Sequence, residues 1–136
     1  MKHAVIVLVT AAILAVSPAT ATTARPSLRD VPEIENPLFA IVVAYVIGEQ
    51  CPTITARRFK GLLQLEKLYW RARDLGYGHD EIRAYVKSPA EKERMRKKGM
   101  ELLKKYGPED DPQSYCAFGR AEIQKKSAIG ALLRAK

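Results

Sequence analysis

The chain has 136 residues, 47% of them apolar and 28% charged, and it carries 23 basic against 15 acidic side chains for a net charge of +8. These values describe one globular domain with a single core and set aside a disordered tail. The basic balance favours anionic partners such as an anionic membrane surface or an acidic protein face.

Residues 1–21 read as a removed secretory signal. "MKHAVIVLVTAAILAVSPATA" has a basic start at Lys2, an apolar run from Ala4 to Val16, a break at Pro18, and Ala19 and Ala21 in the A-x-A arrangement that signal peptidase cuts after. The run is shorter than the roughly 20 residues of a spanning helix, so no transmembrane segment is expected in the mature protein. Removing it takes Lys2 and no acidic residue, which leaves 22 basic against 15 acidic side chains, a net charge of about +7. The expected location is periplasmic or secreted, where nucleic acid is not an expected partner.

Residues 22–35 contain Pro26 and Pro32 and no helical period, which predicts an extended N-terminal arm laying Leu28, Val31 and Ile34 along the body. A single helical domain over residues 36–136 is expected to follow. Its first helix opens with Asn36 as cap and Pro37 in the first position. Leu38 to Ile47 are apolar on every face, which predicts a helix buried all round. Pro52 ends it near Cys51.

A second helix is expected over residues 56–75, capped by Thr53 or Thr55 and stopped by Gly76. Phe59, Leu62, Leu63, Tyr69 and Trp70, with Leu65, Leu68 and Ala72, form its wide apolar side, and Lys60, Gln64, Lys67, Arg71 and Asp74 recur opposite. "HDEIRAYVK" predicts a short third helix with Asp80 and Glu81 in the first turn. "SPAEKERMRKKGMELLKKYGP" is the clearest local signal: Ser88 as cap, Pro89 first, Glu91 completing a capping box, Gly107-Pro108 as stop. A last helix is expected over residues 112–126, then a short turn capped by Ser127. No β-alternation of useful length is present, so the expected fold is all-α, a compact bundle of about five helices with one disulfide.

The disulfide follows from the cysteine count. Cys51 and Cys116 are the only two, and an even, minimal number in an exported chain predicts that they are joined. With residues 112–126 helical, Cys116, Gly119 and Ile123 share a stripe toward the core, and Gly119 permits close approach of another helix.

The same residues argue against chemistry. A thiol enzyme needs a base beside its cysteine, and His79 is the only histidine beyond the signal. Two distant cysteines and one histidine lack zinc-site spacing, and there is neither a C-x-x-C pair nor a haem-attachment motif. Glu109-Asp110-Asp111 lacks the alternating ligands and the glycine of a calcium loop. No catalytic residue, metal or cofactor is expected.

The basic run Lys92, Arg94, Arg96, Lys97, Lys98, Lys104 and Lys105 reads in two ways. Interleaved Glu91, Glu93 and Glu101 suit a solvated helix laced with weak ion pairs. The alternative is contact with an anionic surface, strengthened by Lys60, Lys67 and Arg71 if the second helix lies alongside.

"VPEIENPLFA", the "CP" after the first helix, "LGY" before "EIRAYV", "EKERMRKKG", and "YCAFGRAEI" leading to "SAIGALLR" together make a pattern that spans nearly the whole mature chain. In these stretches the chain resembles a family of small secreted alphaproteobacterial proteins catalogued as a domain of unknown function. The resemblance implies a single domain and no activity, cofactor or catalytic residue. The expected role is that of a non-enzymatic binding or accessory protein. A small chaperone or inhibitor is the alternative and requires an exposed apolar face or protruding loop. An unrecognised enzyme, the third reading, requires a buried polar pocket.

Overall fold

A computed structural model describes residues 24–136. The expected signal peptide and the first two residues of the arm lie outside the described residues. In chain order the elements are α1 (Pro32–Gln50), β1 (Ile54–Ala56), α2 (Arg58–Asp74), α3 (His79–Lys87), α4 (Pro89–Leu103), α5 (Pro112–Lys125) and β2 (Leu133–Ala135), with 3-10 turns at Leu28–Asp30 and Gly130–Leu132. The five-helix, all-α expectation holds, with one small addition. The two three-residue strands pair antiparallel, Ile54 opposite Ala135 and Ala56 opposite Leu133.

The arm is shorter than the sequence suggested. Helix α1 starts at Pro32 rather than Asn36, with Pro32 in the first position and Glu33 and Glu35 in the first turn, where the helix dipole favours negative charge. Pro37 therefore lies inside the helix. Lacking an N–H, it leaves the Glu33 carbonyl without its helical donor, a cost confined to the second turn. The residues expected to dock the arm do so: Leu28 and Ile34 are buried with Ala72, Tyr77 and Ile82, and Val31 packs against them. The Tyr77 hydroxyl donates to the Pro26 carbonyl at 2.6 Å, fixing the entry of the chain.

The main core lies between α1, α4, α5 and the strands, built from residues such as Phe39, Val43, Ile47, Ile54, Leu103, Phe118 and Leu133. Cys51 and Cys116 are joined in its interior, each 1% exposed. Gly119 sets how close α5 lies to α1. A Cβ added there would stand 2.7 Å from Ile54 Cδ1 and 2.9 Å from Ile47 Cγ2, inside contact distance.

Neither Thr53 nor Thr55 caps α2, because β1 occupies Ile54–Ala56 and the helix begins at Arg58. The backbone leads instead into the strand pair, which is extended by Arg57 N–H donating to the Leu132 carbonyl at 2.7 Å and Lys136 N–H to that of Thr53 at 3.0 Å. Gly76 does stop α2: its φ is +92°, and Tyr77 N–H reaches back to the Ala72 carbonyl at 3.1 Å. At the start of α4 the Ser88 hydroxyl accepts from Glu91 N–H at 3.3 Å. The Glu91 carboxylate turns to Arg29 and Arg94 instead of back to Ser88, so only half of the expected capping box forms.

Candidate functional site

Helix α1 is apolar on every face but is not buried on every face. Phe39, Ala40, Val43, Ala44 and Ile47 enter the core, while Leu38, Ile41, Val42 and Val46 are only partly covered and Tyr45 is 51% exposed. Leu38, Ile41, Val42 and Tyr45, at spacings of three, four and seven, make one continuous face. That face floors a groove walled by Leu62 and Leu65 of α2 on one side and by Val86, Lys92 and Met95 of α3 and α4 on the other. Two adjoining hollows of about 400 and 320 Å³ share Ile41, Tyr45 and Leu65. Their lining is almost entirely apolar.

Helix α2 reverses the expectation drawn from its periodicity. Its wide apolar side was expected to face the core, yet only Gly61 and Ala72 are buried. Phe59 is 75% exposed, Leu62 63% and Trp70 58%. At about 100° per residue, Phe59, Leu63 and Trp70 fall within roughly 40° of one another and lie opposite Gly61 and Ala72. The helix is thus fastened along Gly61, Leu68 and Ala72, with Tyr69 packed beside them, while Phe59, Leu63 and Trp70 point away from the body.

The basic run of α4 does not form a face. Arg94 turns inward, Arg96 bonds Glu93 at 2.9 Å and reaches Glu109 at 3.3 Å, and Lys97 lies 4.0 Å from Glu93. Lys98 sits over the Phe39 ring at 4.2 Å, and Lys104 pairs with Glu101 at 2.5 Å. Lys92 and Lys105 have no acidic partner within ion-pair distance among the described residues. The run therefore wraps the helix, with Lys92 at the groove and the other cations spread round it. Helix α2 stands across the groove from α4, with Leu65 on one wall and Lys92 on the other.

Beneath one end of the groove is a charged cluster. Glu35 and Glu91, 5% and 6% exposed, both approach Arg94. Arg94 Nε donates to Glu91 at 2.8 Å, and Arg94 Nη2 makes a 2.8 Å charge contact with Glu35 Oε1 that is not aligned as a hydrogen bond. Tyr85 donates to Glu35 Oε2 at 2.6 Å and accepts from Arg94 at 3.1 Å. Burial, then the bond to Glu35 and its charge, push the Tyr85 phenol up to about 12 against the opposing pull of Arg94. These polar groups pin α1, α3 and α4 together, with Glu35 Oε1 held by the charge of Arg94 and not by a hydrogen bond. Among the described residues no three His, Cys, Asp or Glu side chains gather as metal ligands.

Fold and surface define a small, disulfide-tied helical domain with an apolar groove and ridge that no other described residue covers. The family of unknown function DUF5333 matches residues 26–134, and the chain belongs to that family. No curated protein and no solved structure gives a match. No described helix is long and apolar enough to cross a membrane.

The periodicity marked the apolar residues of both surfaces but assigned them to the interior. The available signal was excess: two neighbouring helices with more apolar faces than one small core can cover.

Proposed function

We propose that the chain is an exported, non-enzymatic binding protein whose groove over α1 takes an acidic amphipathic helix of a partner protein. The observation that carries this reading is the open apolar face of α1 between two walls. Uncovered contiguous apolar surface is costly in water and marks sites that a partner covers. Leu38, Ile41, Val42 and Tyr45 repeat over two helical turns, and a partner helix with anchors three, four and seven residues apart fits that repeat. The rim favours acidic flanks on the partner. Lys92 and Arg57 at the edge have no acidic partner within ion-pair distance among the described residues, whereas Glu91 and Glu49 are occupied by Arg94 and Arg58.

The test is a photo-crosslinking side chain placed at Leu65 in the groove or at the exposed Gln124 of α5, activated in the native periplasm. Position 65 is expected to give one or a few discrete adducts that a Tyr45→Asp substitution removes. Equal labelling from both positions, or none at 65, contradicts the reading. A broad ladder of adducts at 65 would instead point to the small-chaperone alternative, which rests on the same exposed surface.

A further inference from the structure

The outward side of α2 is distinct from the groove and has a different shape. We infer that it is a seat for an anionic phospholipid surface, with Phe59, Leu63 and Trp70 entering the head-group boundary. Phe59 and Trp70 stand eleven residues apart, about 16 Å along the helix axis, so the ridge spans most of α2. The ridge is convex, because the bulky side chains project from the side opposite Gly61 and Ala72, where the helix is fastened. A rigid partner would need a matching cleft, whereas a bilayer interface deforms around an apolar ridge and accepts it to a depth of roughly 5–10 Å.

Charge complementarity selects an anionic surface. Lys60, Lys67 and Arg71 run along one flank at spacings of seven and four, and Arg73 stands on the other, against two acids on the same side, Glu66 within the ridge itself and Asp74 between Leu63 and Lys67 in angle. Lys60 donates to the Ala131 carbonyl at 3.0 Å and Arg71 pairs with Glu33 at 2.7 Å. Lys67 and Arg73 have no acidic partner within ion-pair distance among the described residues. Arg25, over the Tyr77 ring at 5.0 Å just past the end of the helix, is paired with Glu81 at 3.4 Å and adds no uncompensated charge. Long basic side chains beside an aromatic ridge can lay their stems on acyl carbon and keep their charges among phosphates. The same charges oppose pairing of two copies ridge to ridge.

Trp70 is the only tryptophan of the chain, so its fluorescence reports directly from the ridge. The protein lacking residues 1–21 is mixed with vesicles of phosphatidylcholine, alone or with phosphatidylglycerol. A blue shift and protection from iodide quenching are expected on the anionic vesicles, weakened by salt and nearly absent on the neutral ones. Lys67→Gln is expected to weaken partitioning by about fivefold, and the pair Phe59→Ser, Leu63→Ser by roughly tenfold or more. Both variants change surface residues, and unchanged circular-dichroism melts establish that they fold. Absence of binding at low salt overturns the inference. So does vesicle binding that leaves Trp70 fully open to iodide, which would place the contact on another face such as α4. Leu65→Asp, in the groove, is expected to keep vesicle binding, so this inference and the groove reading fail separately.

Discussion

Reduction of the Cys51–Cys116 bond is expected to lower the melting temperature by about 15 °C. The bond joins residues 65 apart in sequence, and the chain-entropy model gives about 4 kcal/mol for closing a loop of that length. A domain of this size loses roughly 4 °C for each kcal/mol. The location adds a local reason. Cys51 ends α1, Cys116 lies in the first turns of α5, and both are in the interior, so the bond joins the central helix to the last one. The strand pair lies immediately after Cys51, and the 3.0 Å bond from Lys136 to Thr53 depends on that turn being held. Calorimetric melts with and without reductant measure the effect. An unchanged melting temperature would show that the bond contributes nothing.

Arg94→Ala is expected to cost about 3–5 kcal/mol, because it leaves two buried carboxylates without their shared guanidinium. Glu91 keeps Arg29, but Glu35 keeps only the Tyr85 hydroxyl. Lys97→Ala, four positions from Glu93 on the exposed side, is expected to change stability by less than about 0.5 kcal/mol. Urea titration of the two variants separates a structural Arg94 from one that only meets an external anionic surface. Equal and negligible effects would contradict the structural role. The same cluster sets an alkaline limit. The Tyr85 phenol ionises near 10 in the unfolded chain and about 12 in the folded one, so its contribution is complete below pH 10. It is lost as the pH rises from about 10 through 12, and Tyr85→Phe should remove that part of the decline.

Local signals in the sequence proved reliable where one residue type has one physical task. Ser88 and Pro89 open α4, Gly76 closes α2 with a positive φ, and the two cysteines pair. Pro37 misled because its preference for a first helical position competes with Pro32, which satisfies the same preference five residues earlier beside Glu33 and Glu35. The strands were illegible because three residues carry too little alternation to register, and their pairing joins segments about 80 residues apart. The larger difference concerns the candidate site. Periodicity identifies that Phe59, Leu62, Leu63 and Trp70 lie on one side of α2, but which side a neighbour covers is decided by packing. Here Gly61 and Ala72 allow the closer approach, so α1 takes that side and the bulky residues are left in water.

The charged residues changed meaning in the same way. Arg94 and Arg96, grouped by sequence with the surface lysines of α4, are held by carboxylates from other parts of the fold. Lys67 and Arg73, less conspicuous in sequence, flank the exposed ridge. The two proposals together would seat the domain on an anionic surface through one side of α2 and leave the open face of α1 to a protein helix.

That reading requires the exposed apolar residues to be unnecessary to the fold itself. The measurement is the melting temperature of the double variant Phe59→Ser, Leu62→Ser, compared with Leu103→Ala, whose side chain is 2% exposed in the core. The double variant is predicted to melt within about 2 °C of the parent protein, while Leu103→Ala loses about 2–5 kcal/mol. A fall of ten degrees or more in the double variant would mean that the chain covers this face itself, and would remove the surface as a binding site.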